Sequence, residues 1–438
     1  MRVTRREALK HTAANLALAA SVRGLAVGAA GAGPGGKTLD VVFEGGGIKG
    51  AALAGAAGVL GGRGFTYRRL IGASAGAITA TVLAAGYQPQ RLLEILTERT
   101  ADGRHRFTSF LMPPAKIPPP VYTATTGPKT FKDTLFEATL PMAWELASKG
   151  LLKACGVFRA VGERMPKYSP ENMQAYVGRG LALISIGAAA SDEAFLDWMR
   201  ERLQEARFDP DITLGRFHET TGPKGIQLSV VATDVTAKKS LVLNHHTAPD
   251  VPLVWAVRMS MGIPLVWNEV EWKKPWGTYR GKPMWDDQGA GHRIVDGGVL
   301  SNFPLKYLLD DQHRKDTGVL GPFRDEVAAR TLGLILDETI EVPGGVSHAE
   351  KAKFAEKLPV YQSLSRLVGT MSGAWDQEAI DEVPPGTLLC RIPVKGYDTL
   401  DFDMDRARMD ALVASGRSAM SATLWKAGLA DDEPRPGP

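Results

Sequence analysis

Three short glycine-containing motifs hold the residues of this chain that are equipped to do chemistry. Residues 45–50 read GGGIKG, residues 72–76 read GASAG, and residues 296–298 read DGG. Because the chain has 48 glycines, a Gly-x-Ser-x-Gly motif by itself is weak, with about 0.2 copies expected by chance. The triple-glycine motif is expected only about 0.01 times, so the three motifs in this order form a specific set.

Ser74 has the surroundings of a nucleophile. Residues 67–71 (YRRLI) look like a strand before it, and the small-residue run at 75–85 predicts a helix after it. A serine on such a tight strand-to-helix turn is a nucleophile elbow, in which Gly72 and Gly76 leave room for the crowded backbone. The helix that begins at the elbow also points its positive end toward a developing anion.

The triple-glycine loop lies at a second strand-to-helix turn, between a predicted strand at 39–44 and a predicted helix at 51–60. Its unshielded backbone N–H groups are suited to hold the oxyanion of a tetrahedral intermediate. Lys49 adds a positive charge beside them, although a solvated surface lysine is the ordinary alternative. The predicted oxyanion-hole residues are Gly45, Gly46, Gly47, Lys49 and Gly50.

A serine nucleophile needs a base, and Asp296 in the tight turn with Gly297 and Gly298 is the simplest candidate. A carboxylate accepts a proton near neutral pH only when pKa values are shifted, so we expect a partly desolvated site. A histidine base is the alternative. His292 lies four residues before Asp296, while His313 and His348 follow without a motif around them. Asp234, a second carboxylate at a strand end, is more typical of a structural hydrogen-bonding group.

Other function classes fit less well. The loop at 45–50 also matches the dinucleotide fingerprint Gly-x-Gly-x-x-Gly, but that site requires an acid about 20 residues further on, and residues 51–93 contain no Asp or Glu. Two cysteines provide no disulfide framework, and no zinc-type spacing occurs. Residues 1–40 carry six basic and two acidic groups, so residues 41–438 balance 46 basic with 46 acidic groups. A neutral body disfavours nucleic-acid binding.

The elements that must position these motifs predict an α/β fold. Strand, loop and helix follow one another twice within fifty residues, which favours a mostly parallel central sheet in a three-layer αβα arrangement. Further strand patterns occur at 226–235, 241–243, 294–295 and 331–336, and helical patterns at 88–100, 192–206 and 403–427. A helical insertion of about 101–225 and a C-terminal helical segment at 341–430, packed on the core, complete the predicted architecture.

Taken together, the three motifs resemble those of the patatin-like phospholipase family. The match extends to residues 231–234, to 256–264 and to Asn302 and Pro304, so that it covers roughly 39–340. The resemblance implies a serine–aspartate dyad of Ser74 and Asp296 that hydrolyses acyl esters of lipids through an acyl-enzyme, without metal or cofactor. A Ser-His-Asp esterase and a catalytically silent lipid-binding protein remain alternatives.

The predicted domain organisation is a leader at 1–36, a catalytic domain at 37–340, the C-terminal segment at 341–430 and a disordered tail at 431–438. In the leader, the paired Arg5 and Arg6 resemble a twin-arginine export signal, which predicts a periplasmic or secreted protein; a basic tail on a cytoplasmic protein is the alternative. The expected partner is a lipid substrate with transient membrane-surface contact, no nucleic acid is expected, and no protein partner can be inferred.

Four apolar residues of the insertion, Phe107, Phe110, Leu111 and Met112, predict an acyl-chain groove, a mobile cap or the core of a helical subdomain. Trp255 and Trp267 are expected to pack in the core near the site.

Overall fold

An eight-stranded sheet organises the chain, in a computed structural model that describes residues 37–100, 106–111, 190–221, 225–309, 329–344, 380, 383, 386–401 and 404–431. The strands are Thr38–Phe43 (β1), Thr66–Ala73 (β2), Gln227–Asp234 (β3), Lys239–Leu243 (β4), Val270–Glu271 (β5), Arg293–Asp296 (β6), Arg330–Glu341 (β7) and Leu388–Lys395 (β8). The leader, residues 112–189 of the insertion, His313, His348 and the tail after Asp431 lie outside the described residues.

Helices cover the sheet and connect its strands. The α-helices are Ala51–Gly62 (α1), Ala75–Ala84 (α2), Pro89–Leu96 (α3), Glu193–Glu205 (α4), Leu214–Thr221 (α5), Leu253–Met261 (α6), Lys306–Leu309 (α7) and Arg406–Lys426 (α8). Short 3-10 helices lie at Gly47–Gly50, Arg106–Leu111, Lys274–Trp276 and Gly297–Val299. Among the described residues, no helix has the length and apolarity that a membrane span requires.

The central part of the sheet is parallel and buried on both faces. Its strand order is β3-β2-β1-β7-β8, while β4, β5 and β6 pair in antiparallel fashion. Successive side chains of a strand point to opposite faces, and Val41 and Val42 of β1 accordingly belong to two different apolar clusters. The predicted three-layer α/β class is therefore confirmed.

Two helices pack with their backbones almost in contact, which explains the small-residue composition of α1. A Cβ on Gly55 would lie 2.1 Å from the carbonyl oxygen of Val413, and one on Gly416 would lie 1.9 Å from that of Ala52. Since α1 begins directly after the triple-glycine loop, this close packing against α8 fixes the position of the loop on the sheet.

The C-terminal segment differs from the prediction, because 341–430 is not purely helical. It contributes β8, which pairs in parallel with β7 and extends the sheet. Pro393 interrupts the strand pattern with a residue that lacks an N–H group, and such a residue is tolerated because β8 forms an edge of the sheet. Helix α8 confirms the helical pattern predicted at 403–427.

Candidate active site

Ser74 sits on a strained turn between β2 and α2. Its backbone has φ 52° and ψ −122°, a conformation that costs a non-glycine residue roughly 1–3 kcal/mol. The turn is too crowded for side chains at its flanks: a Cβ on Gly72 would lie 2.3 Å from the backbone of Gly76, and one on Gly76 would lie 2.3 Å from the carbonyl oxygen of Phe43. The serine is thus held as an elbow at the end of β2.

A second serine locks the elbow from the opposite side. The backbone N–H of Ser74 donates to Oγ of Ser260 at 3.0 Å, and that hydroxyl donates to the carbonyl oxygen of Val231 at 2.5 Å. Ser260 lies on α6 and Val231 on β3, so three elements meet at Ser74. No sequence motif singled out Ser260, although it lies in the segment 256–264 that resembles the family.

Asp296 ends β6 and is almost completely buried, with 4% of its surface exposed. One carboxylate oxygen, Oδ1, accepts the N–H of Gly298 at 2.7 Å, and its own backbone N–H donates to the carbonyl of Gly262 at 3.0 Å. The other oxygen, Oδ2, is buried without a hydrogen-bond partner among the described residues. A carboxylate oxygen in this position can accept a proton.

Burial raises the pKa of Asp296 to about 7. Desolvation is the largest cause, since a carboxylate removed from water is less stable in its charged form. The Gly298 N–H, the Ser74 hydroxyl and the Arg258 guanidinium all oppose it and lower the pKa. A carboxyl with a pKa of about 7 is suited to both accept and return a proton at neutral pH.

Strand register brings Ser74 and Asp296 together. Along β3, Ala73 at the end of β2 lies opposite Val231, and Asp296 at the end of β6 lies opposite Ala232. Because β4 occupies the other edge of β3 in this region, β2 and β6 share one edge and run toward each other. Consecutive residues of β3 therefore place Ser74 and Asp296 close together, although the two are 222 positions apart in the sequence.

The triple-glycine loop offers two free amides beside Ser74. The N–H of Gly45 donates to the carbonyl of Asn302, and the N–H of Lys49 donates to Gly46. By contrast, no acceptor is found in the described part of the chain for the N–H groups of Gly46 and Gly47, which line a cavity with Ser74 and Asp296. Gly47 has φ +55°, and a Cβ there would lie 2.2 Å from the carbonyl of Thr399. Of the predicted oxyanion-hole residues, Gly46 and Gly47 are therefore the two candidate donors to an oxyanion.

Glu44 and Asn302 tie this loop to the Asp296 turn. The Glu44 carboxylate accepts the N–H of Leu336 at 2.5 Å and the Nδ2 of Asn302 at 3.1 Å, while Nδ2 also donates to the carbonyl of Gly45 at 3.0 Å. Sequence reasoning missed Glu44, and the only available signal was a carboxylate at the end of an otherwise apolar strand.

Lys49 is not a solvated surface lysine. The residue is 2% exposed, and its ammonium forms an ion pair with Glu338 of β7. Its backbone N–H is already used within the loop, and Lys49 lines neither of the two cavities at Ser74. The ion pair anchors the loop to the sheet, and a role of the lysine charge in an oxyanion hole stays a prediction.

His292 does not face the candidate dyad. Its Nδ1 lies 2.8 Å from Oδ2 of Asp234, whose Oδ1 accepts the N–H of Ala237. Asp234 is thus the structural hydrogen-bonding group that its strand-end position indicated, and it holds His292 at the opposite end of β6 from Asp296. A dinucleotide-binding site would have an acidic residue at the end of β2. In this chain, Ser74 follows the end of β2.

Two cavities meet at Ser74. The larger has an almost wholly apolar lining that includes Ile78, Phe107, Phe110, Met261, Ile263 and Trp267. The smaller contains Gly46, Gly47, Asp296 and Asn302. No group of three or more metal-ligating side chains occurs in the described ranges.

Phe107 and Phe110 lie between the larger cavity and a buried aromatic cluster. They line the larger cavity, and they also pack against Trp198 at ring-centroid distances of 5.6 and 5.4 Å. Trp267 is buried, and its Nε1 donates to the carbonyl of Phe110 at 3.2 Å. Trp255 is only half-buried, and Leu111 is packed at the edge of the core; Met112 lies outside the described residues.

Comparison with known proteins identifies a family and several similar chains. The family model described as patatin-like phospholipase matches residues 41–309. The uncharacterized protein YqhO of Bacillus subtilis is 27% identical over 291 residues, which are 64% of this chain and 70% of YqhO. VipD of Legionella pneumophila has a similar structure with a TM-score of 0.40 and 17% identity, covering 89% of this chain and 67% of VipD. The type III effector ExoU of Pseudomonas aeruginosa gives a TM-score of 0.35 and 15% identity, covering 91% and 54% of the two chains.

Proposed function

The chain belongs to the patatin-like phospholipase family, and from this membership we propose that it hydrolyses an acyl ester of a lipid, with Ser74 as nucleophile and Asp296 as base. The observation that carries the proposal is the register along β3, whose neighbouring residues Val231 and Ala232 pair with Ala73 and Asp296. The strained elbow at Ser74, the unpartnered Oδ2 of Asp296 and the free amides of Gly46 and Gly47 support it.

The proposed reaction proceeds in two halves. Asp296 takes the proton of the Ser74 hydroxyl while Oγ attacks the ester carbonyl, and the N–H groups of Gly46 and Gly47 stabilise the resulting oxyanion. The protonated Asp296 then gives the proton to the departing alcohol. The acyl group stays attached to Ser74 as an acyl-enzyme. In the second half, Asp296 takes a proton from water, the hydroxide attacks the acyl carbon, and the fatty acid leaves as Ser74 regains its proton.

The larger cavity supports an acyl chain as the bound part of the substrate. Its wall is almost wholly apolar, and it meets the smaller cavity, which contains Asp296, at Ser74. Leu265, 45% exposed with φ +69°, lies in the loop whose Ile263 and Pro264 line the cavities. An exposed apolar residue there favours transient contact with a lipid surface, since residues 41–438 have no net charge to attract anionic membranes.

A fluorophosphonate probe followed by peptide mapping tests the proposal. We expect one adduct on Ser74, none in Ser74→Ala, and loss of short-ester hydrolysis by about 10⁴-fold or more in both Ser74→Ala and Asp296→Asn. Folding of each variant is checked by circular dichroism. Labelling elsewhere, or full turnover without Ser74, would refute the dyad; binding of lipid vesicles without turnover would favour the silent lipid-binding alternative.

Export through a twin-arginine signal is a separate proposal, supported by Arg5 and Arg6 in the leader. Replacing both arginines with lysine should retain the protein inside the cell, as measured by fractionation and immunoblotting. An unchanged distribution between fractions would favour the cytoplasmic alternative.

A further inference from the structure

A buried arginine lies behind the proposed base. Arg258 of α6 has none of its surface exposed, and a guanidinium keeps its charge in proteins. A buried cation requires compensation from nearby anions and acceptors. Its surroundings therefore indicate what the charge does.

Two of the three guanidinium nitrogens are used to hold chain segments together. Nε and Nη2 donate to Oδ1 of Asp192 at 2.8 and 2.5 Å, and Nη2 also donates to the carbonyl of Asn268 at 2.9 Å. Asp192 stands at the start of α4, and Asn268 ends the loop 262–268, which supplies Ile263, Pro264 and Trp267 to the two cavities. Arg258 thus fixes one end of the loop that forms a wall of the site.

The third nitrogen, Nη1, is directed toward the other end of that loop. It is buried and has no hydrogen-bond partner among the described residues, and a Cβ on Gly262 would lie 2.4 Å from it. The carbonyl of Gly262 accepts the backbone N–H of Asp296 at 3.0 Å. One guanidinium therefore holds Asn268 by a hydrogen bond and packs against Gly262, the residue that binds the base.

The charge of Arg258 acts on Asp296 as well. Its attraction lowers the pKa of that carboxyl and opposes the desolvation that raises it. Because 26% of the Asp192 side chain is exposed to solvent, its negative charge only partly neutralises the positive charge of Arg258 inside the protein. The other ionisable groups around Asp296 are already engaged: Glu44 with Asn302 and Leu336, and Asp234 with His292.

We propose that Arg258 is a positioning residue for the base of this site, which binds one end of the 262–268 loop, packs against the other, and supplies the positive charge that keeps the Asp296 carboxylate available to accept a proton. The proposal rests on the proposed function. Arg258 touches neither the substrate cavities nor the Ser74 hydroxyl, so it acts only through Asp296 and the loop.

Profiles of kcat/KM against pH, with a soluble short-chain ester, test this role through three variants. Arg258→Met removes the charge, so the acid limb near pH 7 should move up by about one pH unit. Arg258→Lys retains the charge and should return the limb toward the wild-type position while kcat stays reduced, because a lysine cannot hold both loop ends. Asp192→Asn removes the neutralising partner but keeps the arginine, so the limb should move in the opposite direction, to lower pH.

The opposite shifts separate an electrostatic role from a merely structural one. If Arg258→Met does not fold, a shift of the acid limb to lower pH in Asp192→Asn still supports the proposal. An acid limb that stays at the wild-type pH in Asp192→Asn overturns it. The proposal is also overturned if every folded variant has its acid limb at the wild-type pH and differs only in a lower melting temperature. Failure of the proposed function is distinguishable, because the wild type would then show no fluorophosphonate adduct on Ser74 at any pH.

Discussion

Replacing Asp296 with asparagine should abolish hydrolysis and yet make the folded protein progressively more stable, relative to wild type, as the pH rises from 4 to 7. The carboxyl is 4% exposed, and burial raises its pKa from an ordinary 3.8 to about 7. A group whose folded-state pKa is raised contributes stability that is present below its unfolded pKa and is lost as pH rises through the folded pKa. Asparagine has the same shape and does not ionise, so it does not incur this loss.

The size of the effect follows from the two pKa values. The difference between 3.8 and about 7 corresponds to roughly 4 kcal/mol at 1.36 kcal/mol per pH unit. The amide also introduces a buried NH₂ where Oδ2 has no partner, at a cost of about 1–3 kcal/mol. That cost is the same at every pH. The change in the wild-type-to-variant difference between pH 4 and pH 8 therefore isolates the ionisation.

Urea unfolding of both proteins at several pH values between 4 and 8 measures this change. Asp209→Asn is a matched control, because Asp209 also accepts a backbone N–H, that of Asp211 at 2.8 Å, but on an exposed turn. We expect the free-energy difference between wild type and Asp296→Asn to change by several kcal/mol in favour of the variant, and no comparable change for Asp209→Asn. Parallel curves for wild type and Asp296→Asn would refute the argument that burial raises the pKa of this carboxyl.

Further substitutions test the other contacts of the site. Lys49→Gln should lower the free energy of unfolding by about 1 kcal/mol, because it removes the ion pair with Glu338, and should leave kcat for a short ester within about twofold. A loss of about 100-fold in kcat would instead indicate that Lys49 contributes to the oxyanion hole. His292→Asn should likewise cost stability through its contact with the buried Asp234 while retaining turnover, whereas a loss of about 1,000-fold in kcat/KM would favour a Ser-His-Asp mechanism. Ile78→Trp, one helical turn after Ser74 in the apolar cavity, should reduce kcat/KM for long-chain esters at least about tenfold relative to short ones, and Ile78→Ala should not. Equal losses across chain lengths would contradict an acyl-chain site.

The position of the candidate nucleophile was accessible from sequence because it depends on local geometry. A glycine is needed on either side of Ser74 wherever a strand turns sharply into a helix, so the motif and the flanking patterns are sufficient to predict the elbow. The same holds for β1, β2 and their helices, where apolar runs alternate with small-residue runs. The strand β8 escaped prediction because its pairing with β7 is non-local and Pro393 interrupts its pattern.

The chain by itself determined the three motifs, the α/β class and a carboxylate near the serine as the simplest base. Only the tertiary structure decided which side chains share a space. Lys49, adjacent to the oxyanion loop in sequence, pairs with Glu338, and His292, four residues from Asp296, pairs with Asp234. Ser260, Glu44 and Arg258 enter the site through contacts made across distant elements. The physical reason is register: two strands distant in sequence end at consecutive residues of β3, and no local pattern encodes that alignment.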